Sequence, residues 1–198
     1  MDDKQKRTFR RRYMKDYELQ TELNDAGREV KVARYVGSFY ELGLTEPGLL
    51  ALRRRCVALS LGAAAAALLA LFLRHGAMAS VLAILPLAFC MFPLFYGCLG
   101  SFHLPRTEKP LRSDEVEYGI ERARHSAPAI ALLGGLAAVG TLVYHLFIRR
   151  TALGELTWGD GAFLLCCLLV SLCGGLLWGT LRPVKITERP REAKWAEE

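Results

Sequence analysis

Long uncharged runs alternate with short charged connections along this chain. Four stretches lack Asp, Glu, Lys and Arg, at 56 to 73, 77 to 102, 127 to 148, and from 161 to about 181. A helix of about 20 apolar residues crosses the hydrocarbon of a bilayer. The pattern therefore predicts an all-α membrane protein with four transmembrane helices as two antiparallel hairpins, a small N-terminal cytoplasmic β-hairpin, and a short interfacial helix between spans two and three.

The segment before the first span follows a different period. From Tyr13 to Val36 the side chains alternate between more polar and more apolar, which predicts two strands. Residues 24 to 27, Asn-Asp-Ala-Gly, supply a turn between them. Placing Asn24 opposite Arg28 predicts a hairpin register with the pairs Tyr17 and Tyr35, Glu18 and Arg34, and Leu19 and Ala33.

These patterns divide the chain into six parts. An isolated two-stranded hairpin is marginal in water, so the hairpin is expected to lean on the membrane surface, the cytoplasmic loop, a second copy or another protein. The tail is expected to be loosely ordered. The parts are a basic cytoplasmic arm (1–12), the hairpin and connector (13–45), the first transmembrane hairpin (46–102), a cytoplasmic loop with an amphipathic helix (103–125), the second transmembrane hairpin (126–181) and a cytoplasmic tail (182–198).

Capping residues predict where the helices begin. Thr45 is a suitable N-cap and Pro47 is tolerated in a first turn, so the first helix is expected to start near Glu46. Ser113 is the expected cap of the amphipathic loop helix. Thr157 and Asp160 have capping-box spacing, with the carboxylate expected to reach back to the start of span four.

Small residues and prolines are the most informative positions inside the spans. Small residues four apart let another helix approach closely, whereas an internal proline removes a backbone donor and is expected to bend its helix. Both predicted bends fall in span two, where a broken helix is either a substrate site or a tolerated irregularity. The packing positions are Gly62, Ala66, Ala70, Gly135, Ser171, Gly175 and Gly179, and the predicted kinks are Pro86 and Pro93.

Tyr144 and His145 are the only strongly polar side chains in the third apolar run, and His145 is the one that can carry a positive charge. Facing the bundle, it would be a candidate proton or metal group. It lies about one helical turn from Arg149 and Arg150, so snorkelling to the outer interface is the favoured interpretation. The six cysteines are expected to serve as small apolar side chains, and no metal, cofactor or catalytic site is predicted.

The basic residues predict the orientation. Of the 26 Lys and Arg residues, 23 fall on one side if both termini are cytoplasmic, and Arg53 to Arg55 directly precede the first apolar run. The favoured location is the plasma (inner) membrane. The basic arm is expected to be a solvated tail or to attract anionic lipid headgroups, and no nucleic acid partner is expected.

The residue pattern favours a non-enzymatic membrane subunit or adaptor. Its helices would pack through small residues while the cytoplasmic hairpin and loop dock a membrane or cytoplasmic protein partner, or a second copy. Proton-coupled export requires a carboxylate within the membrane, and no Asp or Glu falls within a predicted span. The alternative is a small transporter or channel component for an uncharged or lipid-like solute. The candidate docking surface consists of Tyr17, Leu19, Tyr35, Phe39 and Tyr40.

Overall fold

The computed structural model describes residues 16–23, 29–73, 80–148 and 157–189. It divides into two compact units. The helical unit contains residues 44–108 and 117–184. The polar unit is assembled from three separate parts of the chain, residues 16–43, 109–116 and 185–189 within the described ranges.

The helical unit contains four helices that are each long and apolar enough to cross a membrane. Helix α1 spans Glu46–Phe72, with Thr45 as its N-cap residue and a proline in the first turn, so the predicted start is confirmed. Helix α2 spans Val81–Phe102 and retains both internal prolines. The other segments of this unit are a π-helical turn (Glu117–Glu121), α4 (Arg122–Val143), a second π-helical turn (Tyr144–Ile148) and α5 (Trp158–Leu181), and the short helix α3 (Ser113–Val116) belongs to the polar unit.

The prediction of a separate interfacial helix is wrong. Helical conformation continues without a break from Ser113 into α4. The predicted boundary rested on the charges of Arg122 and Arg124, but arginine is a good helix former and does not end a helix. The π-helical turn before Arg122 accommodates the irregularity within one continuous helical segment.

The four long helices pack as a ring in which α1 contacts α2, α2 contacts α4, α4 contacts α5 and α5 contacts α1. The centre is filled by apolar side chains from all four helices. The larger ones come from α2, α4 and α5, and α1 contributes alanines. Close packing of this kind leaves the middle of the bundle occupied by protein. The largest of these buried side chains are Leu87, Leu94, Ile130 and Phe163.

The polar unit contains two small antiparallel sheets. Strands β1 (Tyr17–Leu23) and β2 (Glu29–Tyr35) pair in the predicted register, with Tyr17 opposite Tyr35, Glu18 opposite Arg34 and Leu19 opposite Ala33. Strand β3 (Phe39–Glu41) pairs with β4 (Thr187–Arg189). Both β3 and β4 were missed from the sequence, which predicted a connector and a loosely ordered tail, because three-residue strands are too short to show a period.

Several predictions fall on residues outside the described ranges. They concern the basic arm 1–12, the turn 24–27, and Arg149 and Arg150. They stay predictions.

Candidate docking surface and buried polar pair

Tyr35 organises the polar unit. Its hydroxyl accepts a hydrogen bond from the Ser113 backbone N–H at 3.0 Å and donates one to the Ser38 carbonyl at 2.8 Å. Its ring meets the rings of Tyr17 and Phe39 edge to face, with centroids 5.2 and 5.4 Å apart. Such aromatic pairs contribute beyond the area that they bury. One side chain thus joins β1, the start of β3 and the loop at 113.

A second set of bonds holds the same loop. The Ser113 hydroxyl donates to the Asp16 carboxylate at 2.7 Å, and the Tyr17 hydroxyl lies 3.4 Å from Asp114 Oδ2. Tyr40 and Leu111 exchange two backbone hydrogen bonds of 2.9 Å each. The hairpin therefore has residues 113 and 114, in the connection between the second and third spans, as its support, which is one of the four supports that the sequence left open.

The environment of Tyr17 is unfavourable for a phenolate. Burial and the neighbouring Asp114 carboxylate raise the pKa of Tyr17, although Arg112 acts in the opposite direction. The phenol therefore stays protonated to higher pH than it would in an unfolded chain.

The five residues of the candidate docking surface do not share one environment. Tyr35 is 8 % exposed and is committed to internal contacts. Tyr17, Phe39 and Tyr40 are half-buried, and the side chain of Leu19 lies outside the description. Among the five, the contact surface is therefore supplied by Tyr17, Phe39 and Tyr40, and Tyr35 supports them from beneath.

The other two segments of the polar unit carry exposed charged side chains. Arg112 and Lys109 come from the loop, and Lys185 and Glu188 from the stretch around β4; all four are exposed. Arg112 also lies over the Tyr35 ring at 5.6 Å. Aromatic side chains surrounded by charges of both signs are typical of protein recognition surfaces.

In the helical unit, His145 and Asp160 form a buried polar pair. His145 Nε2 lies 3.3 Å from Asp160 Oδ1, and the two side chains are 2 % and 1 % exposed. His145 belongs to the second π-helical turn and Asp160 to the first turn of α5. The snorkelling interpretation of His145 is wrong, because its carboxylate partner draws the ring into the protein.

The N-terminus of α5 explains how Asp160 can be buried. The Thr157 hydroxyl accepts a hydrogen bond from the Asp160 backbone N–H at 3.3 Å and donates to Asp160 Oδ2 at 2.6 Å. The helix dipole also favours a carboxylate in this first turn. The predicted cap is confirmed, but the carboxylate binds the hydroxyl of Thr157. The sequence missed the second role of Asp160 because its partner lies fifteen residues earlier in the chain.

Glycines allow the helices to approach closely. A Cβ added at Gly174 would lie 2.5 Å from the backbone nitrogen of Ala131, and one at Gly100 would lie 2.7 Å from that of Ala123. At these positions helix backbones meet without an intervening side chain.

The small residues predicted as packing positions differ in how closely a neighbouring helix approaches them. Ala70 is fully buried and Ala66 packs on the core, while the Ser171 hydroxyl donates to the Ala131 carbonyl at 2.8 Å. Cβ atoms added at Gly62 and Gly135 would make ordinary or slightly tight contacts, the nearest atoms lying 3.9 and 3.4 Å away. Gly175 and Gly179 have nothing within 4 Å of an added Cβ, so this chain does not use them for close packing.

The two prolines also have different surroundings. Pro86 cannot donate to the carbonyl of Leu82 four residues earlier. That carbonyl lies against Gly140 of α4, so closely that an added Cβ would overlap it. Pro93 lines an open groove on the outer face of the helical unit. Both prolines lie inside one continuous helix, and the bends predicted at them stay predictions.

Within the described residues there is no cluster of three or more His, Cys, Asp or Glu side chains able to hold a metal ion. Comparison of the chain with protein-family models, with curated proteins and with solved structures found no match.

Proposed function

We propose that this protein is a multi-pass membrane protein acting as a non-enzymatic subunit or adaptor. The observation that carries the membrane assignment is the outer surface of the helical unit. Large apolar side chains cover it, including Phe72 at 84 %, Phe92 at 66 % and Leu132 at 64 % exposure. A soluble protein rarely exposes continuous apolar surface on this scale, whereas lipid tails solvate it at no cost.

The hydrogen bonds between helices and at helix ends are also consistent with lipid as the solvent of the helical unit. The hydroxyls of Ser60 and Ser101 hydrogen-bond each other at 2.7 Å, and Thr141 donates to the carbonyl four residues earlier at 2.8 Å. Arg53 caps the end of α2 through the Phe102 carbonyl at 3.1 Å. Without water, polar groups in helices must find partners within the protein.

The orientation that we propose places both termini in the cytoplasm and the chain in the plasma (inner) membrane. The support is the distribution of Lys and Arg, 23 of 26 on one side. Arg53 and Arg124 cap α2 and α5 through the Phe102 and Arg182 carbonyls, so guanidiniums interact with the negative ends of two helix dipoles.

The adaptor role follows from the construction of the polar unit. Tyr35, Asp16 and Ser113 join two segments that are far apart in sequence through hydrogen bonds, and the third segment is joined by the pairing of β4 with β3. A partner that contacts Tyr40, Arg112 and Glu188 would bind all three segments of the polar unit simultaneously. The helical unit, with its filled centre, would serve as the membrane anchor for this surface.

Site-specific photo-crosslinking in native membranes tests the adaptor proposal. A crosslinker at Tyr40 is expected to capture one defined protein in stoichiometric amount, and Arg112→Glu should abolish that capture. A crosslinker at Leu172, which is 58 % exposed on the helical unit, serves as the control and should capture lipid. Equal protein capture from both positions, or capture unaffected by Arg112→Glu, contradicts the proposal.

The second candidate is a small transporter or channel component for an uncharged or lipid-like solute. It is favoured by the groove at Pro93 and by the Leu82 carbonyl released at Pro86. Under this alternative the double variant Pro86→Ala and Pro93→Ala should abolish solute flux in reconstituted vesicles. Unchanged flux in that variant removes its support.

A further inference from the structure

A groove of about 560 Å³ opens on the outer face of the helical unit, between α2 and the third helical segment. One end of the groove is lined by polar and charged residues from the π-helical turn and the start of α4. The other end is lined mainly by apolar residues that lie farther along α2 and α4. The lining residues are Glu117, Glu121, Arg122, His125 and Ser126 at the polar end, and Pro93, Tyr96 and Ala129 toward the apolar end.

The polar end has an excess of negative charge. Glu117 and Glu121, at the two ends of the π-helical turn, are both exposed, and Arg122 is the one guanidinium in the lining. Such π-helical turns occur frequently at functional sites. Two carboxylates beside one guanidinium suit a ligand that carries a cation as well as an anion.

Arg122 is held in place by aromatic rings. Its guanidinium lies 4.1 Å from the Tyr118 ring centroid and 5.8 Å from that of Tyr96. Cation–π contacts engage the electron-rich ring faces, while guanidinium N–H donors lie in the plane of the group and match the geometry of phosphate. The groove therefore offers a guanidinium that is fixed in position and can bind a phosphate. The faces of the Tyr96 and Tyr118 rings are occupied by Arg122 itself, so they are not open to the cation of a ligand.

The apolar end suits a hydrocarbon chain. Pro93 precedes the end of α2 by nine residues, about 13 Å along the helix axis. Phe92, at 66 % exposure, is its neighbour in sequence, and Ala129 faces the same groove. A ligand with its charged group near Arg122 would extend its apolar part toward Pro93.

We propose that this groove binds a phospholipid whose headgroup combines a phosphate with a primary ammonium, as in phosphatidylethanolamine. The ammonium binds Glu117 and Glu121, the phosphate binds Arg122, and an acyl chain follows Pro93 and Ala129. A primary ammonium has three N–H donors for the carboxylates, whereas a quaternary ammonium has none. An anionic headgroup without a cation is repelled by the two carboxylates. This inference rests on the proposed membrane insertion.

Native mass spectrometry of the detergent-purified full chain tests the selectivity. The chain is titrated with phosphatidylethanolamine, phosphatidylcholine and phosphatidylglycerol of identical acyl chains. Phosphatidylethanolamine should bind about tenfold more tightly than the other two, as expected for one charge-assisted hydrogen bond. The double variant Glu117→Gln and Glu121→Gln should lose this preference, and Arg122→Gln should weaken binding of all three lipids.

Matched variants separate the groove from the rest of the surface. Glu188→Gln removes an exposed carboxylate outside the groove and should retain the preference. Ala129→Phe fills the groove and should block binding, whereas Val139→Phe, at a position 55 % exposed elsewhere on α4, should not. Glycerophosphoethanolamine, which lacks acyl chains, should not compete at the same concentration.

Equal binding of the three lipids overturns the inference, as does a preference that survives the double glutamine variant or effective competition by the soluble headgroup. Failure of membrane insertion has a different signature, because the chain would then be recovered as a monomer in water without detergent.

Discussion

In the helical unit glycines let helix backbones touch at several points, whereas in the polar unit Tyr35 and Ser113 join separate segments through side-chain hydrogen bonds. Gly174 brings α5 against the Ala131 backbone, and Gly140 brings α4 against the Leu82 carbonyl. In the polar unit, Tyr35 and Asp16 reach across to Ser113. A methyl group added at such a glycine should therefore destabilise the helical unit, and loss of the Tyr35 hydroxyl should destabilise the polar unit.

This difference follows from the solvent proposed for each unit. Burying apolar side chains drives association in water, but lipid tails solvate those side chains equally well. Helices in lipid therefore gain from close backbone approach and from polar pairs. A small unit in water has little core and depends on specific aromatic and hydrogen-bonded contacts.

The His145 and Asp160 pair is expected to give the largest effect in the helical unit. Asp160→Ala leaves a buried imidazole without its carboxylate and should lower the free energy of unfolding by about 3 to 5 kcal/mol. Denaturation of the detergent-solubilised chain measures this. The double variant His145→Phe and Asp160→Leu should recover much of the loss, because both polar groups are then absent. A single variant as stable as the wild type contradicts a structural role for the pair.

Gly140→Ala tests close backbone approach. The added methyl group would overlap the Leu82 carbonyl, so α2 and α4 must separate, at a cost of about 1 to 3 kcal/mol. Gly175→Ala is the matched control, since a Cβ there meets nothing within 4 Å. Thermal denaturation in detergent should lower the Tm of the first variant alone. Equal shifts in both would show that helix propensity, and not packing, is being measured.

Tyr35→Phe tests the polar unit by removing one oxygen. The Ser113 amide and the Ser38 carbonyl both lose their partner, which should destabilise this unit by about 1 to 2 kcal/mol. Hydrogen exchange should accelerate at Ser113 and in β2 while the amides of α4 keep their protection. Uniform acceleration in both units would contradict their separate stabilisation.

The smallest effect is expected from the ionisation of Tyr17. Its raised pKa means that the folded polar unit holds the phenolic proton more tightly than the unfolded chain does. The resulting stability is present below the unfolded pKa of about 10 and is lost as the pH rises through the folded value. Tyr17→Phe should therefore flatten the decline in stability above pH 10. Near-ultraviolet circular dichroism as a function of pH measures this decline. An unchanged decline would show that Tyr17 does not contribute.

Local patterns predicted the elements well. The start of α1 followed from Thr45 and Pro47, and the register of β1 and β2 followed from alternation around a short turn. These features depend on residues close in sequence, whose spacing directly sets backbone geometry. The sheet formed by β3 and β4 joins residues nearly 150 positions apart, and no short-range pattern encodes such a pairing.

The candidate sites divide in the same way. The sequence predicts one docking surface that includes Tyr17, Tyr35 and Tyr40, but only the tertiary contacts show that Tyr35 is internal. The fifteen-residue separation of His145 and Asp160 hid their pairing, and the polar wall of the groove was interpreted from the sequence only as part of an amphipathic helix.

The sequence by itself determined that four helices of sufficient length and apolarity exist, where two of them begin and how the β-hairpin pairs. Only the tertiary structure decided which face of each helix points inward. The physical reason is that the inner and outer faces are both apolar, so hydrophobic periodicity does not distinguish them. Gly174 and Gly175 are adjacent in an apolar run, yet one touches a neighbouring backbone and the other has open space around it.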